Sequence, residues 1–122
     1  MERLDNLRPL ILLLAGLFGA AGVALAAAAS HGADARLLGT ASTMCLIHAP
    51  ALVALHAGHR MMRTATLAAL VIALGTLLFS GDLLCRHFLG TDLFPMAAPT
   101  GGTTMMAGWL IVAAGAFFGR RG

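Results

Sequence analysis

The sequence predicts an all-α fold, a bundle of four helices that cross a membrane. Of its 122 residues, 59% are hydrophobic and only 11% carry a charged side chain, which is far from the balance of a soluble domain. The charges are clustered, because three intervals, 9–33, 37–59 and 64–81, contain no fixed charge. At about 1.5 Å per residue, each interval comes close to or exceeds the length of about 30 Å that crosses a hydrocarbon core. We therefore expect one transmembrane domain over residues 1–122.

The first two spans are predicted at residues 9–30 and 37–58. Pro9 suits the first turn of a helix, where its missing N–H would be unpaired in any case. The first run imitates the core of a secretory signal but is longer than one, so we expect it to remain as a span. A short polar link that starts at His31 should turn the chain back for the second span.

The third and fourth spans are predicted at residues 64–88 and 103–119. Asp82 and Arg86 lie four residues apart near the end of the third span and can pair on one helix face. We expect an exposed pair that contributes little to stability, because exposed pairs are screened by solvent. The prolines and glycines between residues 89 and 102 predict a loop.

The first and fourth spans carry stripes of small residues at helical spacing. Those of the first span are Gly16, Gly19, Ala20, Val23, Ala26, Ala27 and Ser30, and those of the fourth are Gly101, Gly108, Gly115 and Gly119. Small residues let helix backbones approach closely in a membrane. One such seam is enough to close a four-helix bundle, so we expect the fourth-span stripe to face a partner, with Trp109 beside the contact. That partner is either a second copy or a larger membrane complex.

The arginines predict the orientation of the spans. Six of the eight lie near the two termini and in the second link, at Arg3, Arg8, Arg60, Arg63, Arg120 and Arg121. By the positive-inside rule, both termini are cytoplasmic. Arginines at the ends of apolar runs also suit anionic lipid headgroups and give no reason to expect a nucleic acid partner.

The second span holds the one deep histidine, His48, beside Met44 and Cys45. These three residues share one side of a helix, so a soft site for Cu(I) is conceivable if a second helix supplies further ligands. A neutral histidine bonded to a neighbouring hydroxyl or carbonyl is the favoured interpretation. Pro50 removes a backbone donor and leaves the carbonyl of Leu46 without its helical partner, which predicts a kink.

Other chemistry has less support in the sequence. A haem would need two facing imidazoles at similar depth, and the other four histidines lie at the ends of the spans. Transport of a small solute along Ser80, Asp82 and Thr104 is an alternative, although the spans hold no deep acid or arginine. None of the common catalytic motifs is present, so we expect no catalytic site and no resident cofactor or metal.

Several short segments resemble one family of small membrane proteins, domain-of-unknown-function family 423. They are His31-Gly32, Thr40-Ala41, His48-Ala49, Leu78-Phe79-Ser80-Gly81, Pro99-Thr100-Gly101-Gly102 and Gly108-Trp109. The resemblance implies a four-helix protein of the inner membrane without an established activity. Met44 and Cys45 stand where the family pattern has tyrosine and glutamine, and Pro50 and Asp82 also depart from it. We therefore expect a small accessory or scaffold subunit, with a metal, cofactor or transport role centred on His48 as the alternative.

Overall fold

The computed structural model describes residues 2–32 and 35–119. After a short helix, α1, at Glu2–Asp5, the long helices are α2 (Arg8–Ala29), α3 (Arg36–Ala57), α4 (Ala65–Leu89) and α5 (Ala97–Ala114). A 3-10 turn, Gly115–Phe117, extends α5. Within the described residues there is no strand, and four helices are long and apolar enough to span a membrane. The predicted all-α, four-span fold is confirmed, whereas Arg120 and Arg121 of the orientation argument lie outside the described residues.

The two middle helices form the centre of the bundle. Within the most apolar stretch of each helix, the buried share is 50% in α4 and 39% in α3, against 22% in α2 and 17% in α5. The first long helix, α2, packs along α3 and touches α4 at only a few points, while α5 packs along α4. The main core, which includes Ile11, Phe18, Leu52 and Ile72, lies where α2, α3 and α4 meet. Two edge helices thus keep broad faces turned to lipid.

The last long helix begins at Ala97, six residues before the start expected near residue 103. Pro99 is its third residue, and a proline is tolerated in a first turn because its missing N–H would have no helical partner there. Met96, the residue before the helix, has a left-handed backbone conformation with a φ of 68°. This conformation turns the chain into α5. The prediction of a loop at Pro99 is therefore wrong, because Pro99 belongs to the start of α5.

The glycine stripe of α5 is an internal seam, so the expectation that it faces a partner is wrong. A Cβ on Gly101 would lie 2.5 Å from the backbone nitrogen of Phe79 on α4, and one on Gly75 would lie 2.6 Å from that of Met105. A Cβ on Gly108 would come similarly close to the side chain of Ile72. These contacts bring the backbones of α4 and α5 together at a distance that side chains would prevent.

Of the other two glycines of that stripe, Gly115 faces the start of α4, and Gly119 lies beyond the end of the helix. Gly115 begins the 3-10 turn, and a Cβ there would meet the Thr64 hydroxyl oxygen at 2.7 Å. Gly119 follows the extended residue Phe118, and a Cβ built on it meets no atom within 4 Å in the described part of the chain. The expected pair of glycines four apart is therefore broken, because the α-helix ends at Ala114.

The small-residue stripe of α2 faces away from the bundle. Helix α2 buries the opposite side, through Ile11, Ala15, Phe18 and Gly22. Gly19 is half-buried, and the remaining stripe residues, Gly16, Ala20, Val23, Ala26, Ala27 and Ser30, are exposed. The seam between helices inside the bundle is therefore that of α5, and the α2 stripe is mostly exposed.

The carboxylate of Asp82 is buried, contrary to the expectation of an exposed pair. Its side chain has 0% exposure, because the chain after α4 folds back over it. Oδ2 accepts a hydrogen bond from Arg86 Nε at 2.9 Å, as the spacing predicts, and Oδ1 accepts one from the backbone N–H of Leu93 at 2.9 Å. Arg86 also bridges to Asp92 at 3.1 Å. Asp82 therefore ties the loop after α4 to the helix.

Candidate functional site

Three polar side chains of α3, Ser42, Cys45 and His48, connect it to each of the other long helices. They are spaced three residues apart, so each step turns the side chain by about 60° around the helix axis. All three are buried. We call this set the polar ladder. The spacing was visible in the sequence, but Ser42 was missed because an intramembrane serine by itself does not indicate which helix it will meet.

The first two steps of the polar ladder point to α2 and α4. Ser42 Oγ donates to the backbone carbonyl of Gly22 on α2 at 2.7 Å. Cys45 Sγ donates to Ser80 Oγ on α4 at 3.5 Å. Hydrogen bonds of this kind hold membrane helices together, since lipid offers no competing partner. The thiol of Cys45 thus faces away from α5.

The third step joins α3 to α5 through His48 and Trp109. The indole Nε1–H of Trp109 donates to His48 Nε2 at 3.1 Å. Because Nε2 accepts, the ring proton of a neutral His48 lies on Nδ1, which donates to the carbonyl of Met44 at 2.8 Å. The histidine was expected beside the carbonyl freed by Pro50, that of Leu46, but it bonds to Met44 instead. Pro50 itself lies within a continuous helix, on its exposed side.

His48 and Trp109 meet because they lie at the same depth. Each is the thirteenth residue of its helix, and in an up-and-down bundle α3 and α5 run in the same direction. Both rings therefore lie about 18 Å from the start of their helices, near the middle of a membrane. The later start predicted for α5 had placed Trp109 close to the outer loop. The pairing was not predicted for that reason.

A pocket of about 350 Å³ opens between α3 and α5, around this bond. Its walls are almost entirely apolar and carry three thioethers. The lining residues are Met44, His48, Phe79, Gly102, Met105, Met106 and Trp109. We call it the methionine pocket. Two of its methionines come from α5. This helix is therefore the one that could supply further metal ligands beside His48, which the sequence could not identify.

A second pocket of about 260 Å³ lies between α2 and α4, on the other side of α3. Cys45, Thr76 and Ser80 contribute its polar atoms. The Met44, Cys45 and His48 cluster seen in the sequence is therefore divided, since Cys45 lines this pocket while the other two line the methionine pocket. Among the described residues, no three His, Cys, Asp or Glu side chains come together in a way that could hold a metal ion.

The remaining predicted residues lie away from the polar ladder. His31 is exposed at the end of α2, and Asp82 is buried beneath the loop that follows α4. Gly108 contacts Ile72 within the α4–α5 seam. The structure thus brings together His48 and Trp109 with Met44, and separates them from the others.

Comparison with known proteins identifies the family. The family described as "Protein of unknown function (DUF423)" matches residues 11–102, three quarters of the chain. The chain belongs to this family. Curated relatives in Escherichia coli K12 and Shigella flexneri, both called UPF0382 inner membrane protein YgdD, are 42% identical over 45 residues, which is 37% of this chain and 34% of each relative. No solved structure matches.

Membership of the DUF423 family agrees with the four apolar helices. The relatives are named inner membrane proteins, and this chain is a multi-pass protein of that membrane. The aligned segment covers only about a third of the relatives' length. The DUF423 match contains the polar ladder but ends before Met105, Met106 and Trp109, so the α5 side of the methionine pocket lies beyond it.

Proposed function

We propose that this protein is a small accessory or scaffold subunit that binds a helix of a larger membrane protein through the outward face of α2. One observation carries the proposal. On that face, Gly16, Ala20, Val23 and Ala27 are exposed, although they form a continuous row of small side chains. A seam of this type already joins α4 to α5, so the bundle does not need a second one.

Helices associate in lipid through close packing of their backbones. Lipid tails are as apolar as leucine, so exposed apolar side chains alone do not drive two helices together. Close backbone approach does, through van der Waals packing, and it requires small residues on the approaching face. Among the described residues, no neighbouring atom lies within 4 Å of a Cβ built on Gly16. That position is open to the backbone of a partner helix.

The interior of the bundle also supports a structural role. Ser42, Cys45 and His48 each use their polar atoms in a bond to another helix. A path for a solute would need a row of unbonded polar atoms through the membrane, whereas each of these three side chains is bonded to another helix.

Site-directed crosslinking tests this proposal in intact membranes. The two native cysteines, Cys45 and Cys85, are replaced by serine, and single cysteines at Ala20 or Leu110 carry a photoreactive group. Leu110 is the matched control, because it is 70% exposed to lipid on α5. We expect Ala20 to yield one defined protein adduct and Leu110 to yield adducts with lipid.

Substitution of the stripe provides the second arm. Gly16→Ile with Ala20→Ile should abolish the adduct from a reporter cysteine at Val23, while Leu110→Ile should leave it unchanged. Both variants should insert and fold, since neither alters a buried residue. An adduct with a second copy of this chain would replace the accessory role with self-association. A monomer by native mass measurement, with lipid adducts alone at Ala20, would refute the proposal.

A further inference from the structure

The methionine pocket contains the ligand types that soft metal ions prefer. Thioether sulfur and imidazole nitrogen select Cu(I), whereas oxygen ligands select harder ions. Met44, Met105 and Met106 supply three sulfurs, and His48 supplies the nitrogen. These residues come from two helices and line one pocket of about 350 Å³. Three of the seven methionines of the chain thus line the pocket that contains the deep histidine.

The tautomer of His48 is already the one that such a ligand needs. A histidine that binds a metal through one ring nitrogen usually donates the other ring N–H to a carboxylate or a backbone carbonyl. Here Nδ1 bonds to the Met44 carbonyl at 2.8 Å, and the lone pair of Nε2 points toward α5. His48 is 5% exposed, so its ring is held in this orientation by packing. The histidine is thus preorganised to bind through Nε2.

Trp109 occupies the position where a metal would bind to His48. Its N–H meets Nε2 at 3.1 Å, and its ring lies 5.9 Å from the imidazole. Trp109 is 42% exposed, at the rim of the pocket, so its ring can turn away without disturbing the core. Phe79 also lines the pocket, and aromatic faces attract cations.

We propose that Met44, His48, Met105 and Met106 form a binding site for Cu(I), which Trp109 covers when no metal is bound. The step is simple ligand exchange: Cu(I) takes the Nε2 lone pair, and the indole N–H loses its acceptor. No proton leaves His48, because its proton stays on Nδ1. Methionine side chains are flexible, so the sulfurs can turn toward one ion. This proposal does not depend on the contact made by α2.

Copper binding is measured on the full-length protein in detergent, under anaerobic conditions. Free thiols bind Cu(I) strongly, so the titration uses the Cys45→Ser, Cys85→Ser background. Cys45 lines the other pocket, and both positions can change without loss of the proposed site. We expect one Cu(I) per chain after desalting. We also expect the fluorescence of Trp109, the single tryptophan, to change until one equivalent is added.

The ligand variants decide between a built site and incidental binding. Met105→Leu with Met106→Leu preserves side-chain volume and should keep the bundle folded. This double substitution should weaken Cu(I) binding at least as much as the loss of an outer-shell partner does, which is typically about 10- to 100-fold. Met61→Leu and Met96→Leu are matched controls, because both residues are exposed and lie outside the pocket. They should not change the affinity.

Two results would overturn the proposal. One is the absence of retained Cu(I) in the cysteine-free protein, checked as folded by its helical circular dichroism. The other is an equal affinity in the Met105→Leu, Met106→Leu variant, which would place any bound copper elsewhere. His48→Gln adds a further check, since it should remove binding and the fluorescence change together.

Discussion

The buried carboxylate of Asp82 accepts the backbone N–H of Leu93 at 2.9 Å, eleven residues further along the chain. This bond closes the loop between α4 and α5 onto the end of α4. Arg86 lies over the same carboxylate and reaches Asp92 within the loop. One acid therefore sets the position from which α5 enters the bundle.

Asp82→Ala is expected to destabilise the protein. It leaves the Leu93 N–H without its acceptor and Arg86 with Asp92 as its remaining acid, at a cost of about 1–3 kcal/mol. Asp92→Asn is the matched control, since Asp92 is half exposed and its pair with Arg86 should contribute less than about 1 kcal/mol. Unfolding in mixed micelles and proteolysis of the loop measure both effects. Equal stability of the two variants would mean that solvent reaches Asp82.

The bond between His48 and Trp109 should be measurable as a coupling energy. His48→Leu, Trp109→Phe and the double variant form a cycle that isolates the pair. We expect a coupling of about 0.6–1.7 kcal/mol, the range found for hydrogen bonds between membrane helices. Unfolding free energies in mixed micelles supply the values. Strictly additive effects would show that the two rings do not interact.

Adjacent glycines of α5 provide a test of the seam between α4 and α5. Gly101→Ala should destabilise the monomer by about 1–3 kcal/mol, because the added methyl group meets the backbone of Phe79. Gly102→Ala should be tolerated, as its Cβ would lie 4.0 Å from the nearest atom, Phe79 Cδ1. Both changes add the same methyl group to the same helix. Similar thermal stability of the two variants would contradict the close approach.

The orientation predicted from the arginines is open to a labelling experiment. Single cysteines replace Gly32, Leu93 or Met61 in the cysteine-free background, and all three positions are exposed in the links. A membrane-impermeant thiol reagent added to intact cells should label Gly32→Cys and Leu93→Cys but not Met61→Cys. Permeabilised cells serve as the control for reactivity. Labelling of Met61→Cys alone would show that the orientation is the reverse of the predicted one.

The sequence by itself determined the class of protein and the number of helices. Long uncharged apolar runs are local features, and a membrane imposes helical structure on each because every backbone polar group must be paired within it. The family resemblance was likewise carried by short local motifs such as His48-Ala49 and Gly101-Gly102, and the match to DUF423 confirmed it. These conclusions needed no knowledge of how the helices pack.

Only the tertiary structure decided which face of each helix is buried. Both edge helices carry small residues, but the internal seam is that of α5, because close approach at Gly75 and Gly101 depends on two helices at once. Asp82 looked exposed because its burial depends on a loop that folds back from Leu93. His48 pairs with Trp109 because the two residues lie at equal depth in their helices. The depth of Trp109 depends on where α5 begins, and α5 begins before Pro99. Contacts between distant segments depend on relative depth and rotation, and neither is encoded in the local hydrophobic pattern.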